Sequence, residues 1–413
     1  MAGYQEGRVG FPGASLDWLQ NMNEPPLTVA WVSYFPLEWL PDPPEPIRLL
    51  PKRHPATWQR VLVDELKNRP GLKLHVIDLR NQLREDVTFE WDGVTFHGLK
   101  VPSRCRAPSL FWVDTFRIRR RLRQINPDVV HAWGNEQGAA LVASRLRYPY
   151  LVSVQGLLEW FVQVLQLSFY DRLTARVERI SLRRASVATA ESTFTADWLR
   201  QRHPRLDVRH VEYSPNWLFY HIERRPQTQP LRFLFVGAVS VRKGSDMLLL
   251  ALDKLRTEID FQLILVGIPH PEFIARMKAR TSQALWERVE IIQSPPTSEV
   301  TEQLARATMV LFPARAETGP LAVKEAAVAG VPVVGGATGG IPDYIADDKN
   351  GFIFPPGDLP AFMNAIRRAC AHPMFSRGLV DPATLAQVRA HLAPSRMAEG
   401  FHSIYRQLAK NAR

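Results

Sequence analysis

Residues 314–334, ARAETGPLAVKEAAVAGVPVV, pass from a loop into a helix and then into a strand. Pro320 suits the first helical turn, where its missing N–H costs nothing. The alanine-rich run after it favours helix, and Gly330-Val331-Pro332 stops it before the apolar strand Val331–Val334. The first N–H groups of a helix have no partner inside it, so a loop entering the helix there can present them to an anion. Two glutamates flank this start: Glu317 in the loop and Glu325 inside the helix. A carboxylate at Glu325 can accept hydrogen bonds from two vicinal hydroxyls, as on a ribose, and Glu317 can reach a sugar. Two solvated glutamates on an ordinary strand–helix unit are the alternative reading.

The same alternation extends outward in both directions. Downstream of 231, Leu231–Val236 (LRFLFV), Phe261–Val266 (FQLILV), Val289–Ile292 and Met309–Phe312 read as strands, with Ser245–Arg256 and Pro320–Ala329 as helices. Upstream, Thr28–Tyr34, Leu72–Ile77, Asp128–Ala132 and Tyr150–Val154 read as strands. Thr57–Lys67, Phe116–Gln124 and Tyr170–Arg184 read as helices. Val87–Phe96 alternates about Asp92-Gly93, a hairpin signal. Strand–helix alternation predicts parallel sheets covered on both faces. Ile222–Pro230 (IERRPQTQP) breaks the rhythm and reads as a linker. The expected organisation is a lead at 1–27, an N-terminal Rossmann-like domain at 28–225, and a C-terminal one at 226–394. A helix at 395–413 carries Phe401, Ile404, Tyr405 and Leu408 on one face.

A chain of 413 residues exceeds one core, and 46% apolar with 23% charged residues is ordinary for a globular protein. Cys105 and Cys370 are too far apart in sequence for a zinc motif, and two cysteines form no disulfide framework. With no basic-then-apolar leader in residues 1–27 and no long apolar run, a cytoplasmic location is expected. The net charge is +11, and residues 101–225 hold 20 arginines, no lysine and 11 acidic residues. Such a segment can face an anionic membrane surface or simply be solvated. No nucleic-acid-binding motif accompanies it, so nucleic acid is not an expected partner.

Glu317 to Glu325, then Gly330-Val-Pro-Val-Val and Gly339-Gly340-Ile-Pro-Asp343, resemble the family-4 retaining glycosyltransferases of the GT-B fold. Phe235-Val-Gly237 followed by Val241-Arg242-Lys243-Gly244 resembles their phosphate-binding strand–loop–helix. Asn350-Gly351-Phe352 with Pro356-Gly357-Asp358, Pro127-Asp128-Val-Val-His131 and Ser214-Pro-Asn216 are further landmarks. The resemblance implies an α/β GT-B architecture, two Rossmann-like domains facing a cleft, with the C-terminal helix crossing back to the N-terminal domain. It implies a hexosyl-type transferase using a nucleotide diphosphate sugar as co-substrate, with no other cofactor and no metal. Glu325 would hold the ribose, Glu317 the donor sugar, and Lys243 with Arg242 the diphosphate. Gly237, Gly319, Pro320 and Leu321 would offer backbone to phosphate, and Gly339 and Gly340 would line the cleft. The acceptor would be a hydroxyl compound: a glycan, a lipid-linked sugar or a small molecule, as in polysaccharide or glycoconjugate synthesis.

The residue types suit that chemistry. Breaking a sugar–phosphate bond builds negative charge on the departing diphosphate, and Lys243 and two helix N-termini can stabilise it. No Asp-x-Asp pair stands in a hairpin to hold a divalent ion. Two positions depart from the family. Ala238 stands where a basic residue is usual, with Arg242 or Lys243 able to compensate. Gln155 replaces a histidine near the transferred sugar, and its amide can hydrogen-bond a hydroxyl but cannot exchange a proton. These favour, as an alternative, an inactive sugar-nucleotide-binding protein; a GT-B epimerase or phosphorylase, which binds similar ligands, is a separate enzyme alternative. On the acceptor side, Thr57 reads as a helix N-cap, His54 as a loop residue and His131 as a buried, satisfied histidine. Leu157–Phe169 (LLEWFVQVLQLSF) reads as core packing or a lipid-facing surface.

Overall fold

The computed structural model describes residues 26–52, 56–102, 104, 106–135 and 138–412. The expected lead therefore lies almost wholly outside the described residues, as does His54.

The N-terminal half builds one eight-stranded sheet. Its strands are β1 (Leu27–Ser33), β2 (Leu72–Arg80), β3 (Val87–Trp91), β4 (Val94–Lys100), β5 (Val129–Trp133), β6 (Tyr150–Ser153), β7 (Val187–Ala190) and β8 (Asp207–His210). Their order is β3-β4-β2-β1-β5-β6-β7-β8, parallel except for the β3–β4 hairpin. That hairpin turns at Asp92 and Gly93, both at positive φ (50° and 78°), which matches the right-handed twist of the flanking strands.

The C-terminal half forms a six-stranded, all-parallel sheet from β9 (Leu231–Val236), β10 (Phe261–Val266), β11 (Val289–Ile292), β12 (Met309–Phe312), β13 (Val333–Gly336) and β14 (Gly351–Phe354). The order is β11-β10-β9-β12-β13-β14. These strands are apolar on both faces because helices cover both. The helix Leu321–Ala329 ends where Gly330 and Val331 donate back to Ala327 and Ala326.

The chain changes domain earlier than the composition suggests. Phe219 is already buried in the C-terminal core. Arg224 donates to the carbonyls of Ala307 and Gly378, both at 2.8 Å. Ile222–Pro230 is thus a strap laid on the C-terminal domain, and the crossover falls ahead of residue 219 rather than at 226. The helix Pro394–Ala412 returns to the N-terminal domain, as expected. Phe401, Ile404 and Tyr405 enter its core, and the Tyr405 hydroxyl meets Trp31 Nε1 at 3.1 Å and His131 Nδ1 at 2.6 Å. His131 also meets Ser153 Oγ at 2.7 Å, and burial pushes its pKa well down, so it is a structural histidine.

The apolar stretch Leu157–Phe169 is less buried than core packing requires. Leu157 is covered and Trp160 packs on Phe194, but Val164 and Phe169 are exposed. Among the described residues no helix is long and apolar enough to cross a membrane.

Candidate active site

Parallel α/β sheets bind ligands beyond the carboxyl ends of their strands. The two sheets here bring those ends together around a cavity of about 430 Å³ whose wall comes from both domains. Gly237, Arg242, Lys243, Glu317, Gly319, Leu321 and Glu325 line it from the C-terminal side, and Gln155 lines it from the N-terminal side.

Lys243 and Arg242 stand in the loop between β9 and the helix Ser245–Leu255. Arg315 braces that loop, donating to the Val241 carbonyl and to Asp246, both at 2.7 Å. Lys243 Nζ donates to Glu317 Oε2, and Arg242 Nη1 reaches the same oxygen at 3.3 Å. Burial lowers the Lys243 pKa, with Glu317 acting against that shift. The Arg242 guanidinium also lies 5.4 Å from the centre of the Phe161 ring, across the cleft. Ala238 is on the wall too, so these two cations supply the positive charge its position lacks.

Glu325 is buried, and among the described residues no group bonds its carboxyl. Burial alone pushes its pKa up to about 8. A buried carboxyl without a partner is costly, so its place on a cavity wall points to a ligand with hydroxyl donors. Gly319, Leu321 and Ala322 bring the N-terminal end of the same helix to the wall, where the helix dipole favours an anion.

Three expected positions lie elsewhere. Pro320 precedes the helix as its N-cap, off the cavity wall. Gly339 and Gly340 do not line the cavity but pack behind it. A Cβ on Gly339 would sit 1.5 Å from the Glu317 carbonyl oxygen, and one on Gly340 would sit 2.5 Å from that of Thr318. Their role is to let the loop carrying Glu317 lie close against its neighbour. Thr57 is the first helical residue, not the N-cap, and it lines the cavity beside Trp58.

Sequence reasoning missed a second group of charges. Glu191, just past β7, lines the cavity and packs on Gly319, where an added Cβ would meet its carboxyl at 2.1 Å. Burial pushes its pKa up to about 8, although Lys324 opposes the shift. Lys324 is itself buried and crosses between the domains. Its ammonium donates to Glu212 Oε2 at 2.7 Å, the Glu191 carbonyl at 3.1 Å and the Tyr213 carbonyl at 3.3 Å. Glu212 also accepts from the Tyr344 hydroxyl at 2.6 Å. Burial raises the Glu212 pKa, but Lys324, His210 and His391 outweigh it and hold the carboxylate well below its usual range. Ser192 Oγ donates to the Thr318 carbonyl at 2.8 Å, and the Thr193 N–H donates to Asp343 at 2.8 Å, which completes the seam.

Removing one member of a buried pair leaves the other charge uncompensated. Lys324→Met should therefore destabilise the protein by ~3 kcal/mol in urea unfolding. Glu212→Gln added to it should recover part of that loss, because the stranded carboxylate is then gone.

Two family models match adjoining parts of the chain. The one described as glycosyltransferase family 4 matches residues 60–217, and the one described as glycosyl transferases group 1 matches residues 220–379. The chain belongs to the family-4 glycosyltransferases. A GDP-mannose-dependent α-(1-6)-phosphatidylinositol monomannoside mannosyltransferase of Mycolicibacterium smegmatis is 34% identical over 141 residues, 32% of this chain and 36% of that protein. The sulfoquinovosyl transferase SQD2 of Arabidopsis thaliana is 24% identical over 271 residues, 61% of this chain and 51% of that one. The family-4 chain thus spans between about a third and a half of the length of the curated relatives it matches. Among solved structures, sucrose-phosphate synthase of Thermosynechococcus elongatus superposes with a TM-score of 0.77 at 19% identity, over 92% of this chain and 99% of that one. HepE of Anabaena in complex with UDP and glucose gives 0.68 at 14%, over 92% and 100%. At those identities the likeness establishes the GT-B fold alone.

Proposed function

We propose that the chain transfers a hexosyl group from a nucleotide diphosphate sugar to a hydroxyl acceptor, without a metal ion and with retention of anomeric configuration. The observation that carries this reading is the pairing of two features in one interdomain cavity. The Glu325 carboxyl, without a partner among the described residues, stands on one helix, and the Lys243–Arg242–Glu317 cluster stands beside the start of that helix. A ribose satisfies the first, and a diphosphate competes with Glu317 for the two cations of the second. Glu317, freed from Lys243, can then take a hydroxyl of the sugar. Lys243 stabilises the charge that develops on the leaving diphosphate. Metal independence is supported by these cations, which stand where the charge of the departing diphosphate would develop. A GDP-mannose-dependent relative and a neighbour complexed with UDP and glucose support a nucleotide-sugar donor.

Gln155 Nε2 is buried with no partner among the described residues, so its amide can donate to a sugar or acceptor hydroxyl. Because Gln155 cannot exchange a proton, it also favours the second reading, a sugar-nucleotide-binding protein without turnover. Product analysis decides between the two. Nucleotide sugars should be consumed equally with and without EDTA, and NMR of the glycoside should show the donor's anomeric configuration. An inverted product or a strict metal requirement would overturn the proposed mechanism. Donor binding with no turnover, even hydrolysis, would establish the binding protein.

A further inference from the structure

The arginines of the N-terminal domain fall into two sets. Several are paired: Arg106 with Asp114, Arg117 with Asp86, and Arg202 with Glu159. Four others surround a cavity of about 670 Å³ lined by Arg119, Arg123, Arg145, Leu146, Arg147 and Tyr148. Among the described residues none of these four meets a carboxylate. Arg119 donates to the Arg145 carbonyl at 3.0 Å, and Arg145 donates to the Leu110 carbonyl at 2.7 Å. Burial and Arg184 both work against the Arg145 charge. Four guanidinium groups around one space repel one another unless an anion joins them.

An apolar ridge adjoins this cavity. On the helix Trp112–Ile125, the residues Trp112, Phe116, Arg119 and Arg123 follow at helical spacing, so one face carries aromatics at its start and arginines at its end. The flanking face, with Thr115, Ile118 and Leu122, is buried. Leu110 is 55% exposed, Trp112 44% and Phe116 62%. The Arg145 guanidinium lies 4.4 Å from the centre of the Trp112 ring and joins ridge to cavity. The helix Phe169–Arg184, packed on the far side of Ala139–Ala143, exposes Phe169, Tyr170 and Leu173 as well.

We propose that this face seats the protein on an anionic phospholipid surface, with lipid phosphate in the arginine cavity and Leu110, Trp112 and Phe116 entering the headgroup boundary. A soluble phosphate compound would use the arginines but leave the aromatic ridge in water. Aromatic side chains beside guanidinium groups match the interfacial layer of a bilayer, where apolar burial and attraction to anionic lipid add together. The proposal stands apart from the donor site, with which this cavity shares no lining residue.

Vesicle co-sedimentation of the full chain tests it, comparing phosphatidylcholine alone with phosphatidylcholine mixed with phosphatidylglycerol. The expected result is retention on the anionic vesicles only, reduced by salt, and lowered at least ~tenfold in Arg119→Gln/Arg123→Gln. Trp112→Ser/Phe116→Ser should lower it too, with the thermal midpoint of both variants near wild type. Equal partition onto both vesicle types, or wild-type retention in the arginine variant, overturns the proposal. Full displacement by millimolar pyrophosphate, together with wild-type retention in Trp112→Ser/Phe116→Ser, would assign the cavity to a soluble phosphate compound and overturn it likewise.

Discussion

Lys243→Ala should lower kcat by roughly 100- to 1000-fold while KM for the donor changes far less. Lys243 sits where charge accumulates as the sugar–phosphate bond breaks, so most of its contribution appears in the transition state. Its loss also leaves Arg242 as the sole polar contact of the Glu317 carboxylate among the described residues, and that carboxylate then repels the incoming diphosphate. Lys243→Arg should restore a part of the activity, because charge returns without the same reach. Equal losses in kcat/KM and in nucleotide affinity, with kcat unchanged, would reduce Lys243 to a binding residue.

Glu325→Gln should trade affinity for stability. The wild-type carboxyl has its pKa raised by burial to about 8. Between its ordinary value and that one, the folded state holds a proton that the unfolded state has released. Stability therefore falls as pH rises through this window, by at most ~1.4 kcal/mol per pH unit for each such group, and levels off above pH 8. Glu191, raised to about 8 as well, contributes a slope of the same sign. Without ligand, Glu325→Gln should be the more stable protein at pH 8, by ~2 kcal/mol or more in urea unfolding, and the gap should close near pH 5. A wild-type profile flat from pH 5 to 8 would contradict the burial of both carboxyls.

Much of the fold was legible because its signals are local. Runs such as Leu231–Val236 and Phe261–Val266 are apolar at successive positions, as a strand buried on both faces must be. The stripe Phe401, Ile404 and Tyr405 announced a helix with a core to fill, and the N-terminal domain is that core. The strands β7, β8 and β14 escaped notice. Each has four residues, and Thr189, Asp207 and Gly351 hide any apolar run. The domain boundary was misplaced because Arg224 and Pro226 look like linker residues, while the carbonyls that bind Arg224 are supplied by loops some 80 and 150 residues onward.

The site divides along the same line. Lys243 with Arg242, and Glu317 with Glu325, fall within two short motifs whose chemistry is readable, and the fold brings all four to one cavity. Glu191, Glu212 and Lys324 are charged residues that composition places in solvent, and their contacts join positions more than 100 residues apart. One signal was there to use. Lys324 stands beside Glu325 in a helix, LAVKEAAVA, whose other residues are all apolar, so a lysine there has no exposed polar face to join. Glu191 follows the carboxyl end of a parallel strand, the position from which such sheets address ligands.

The central claim is that Glu325 and the Lys243 cluster together hold a nucleoside diphosphate, and thermal unfolding against UDP, GDP, ADP, dTDP and CMP tests it directly. At 100 times its dissociation constant a ligand stabilises by about 2.7 kcal/mol, which moves the midpoint of a domain of this size by several degrees. The expected result is such a shift with one of the diphosphates, absent in Glu325→Ala. No shift with any of them, or an equal shift in the variant, would contradict the assignment of the cleft.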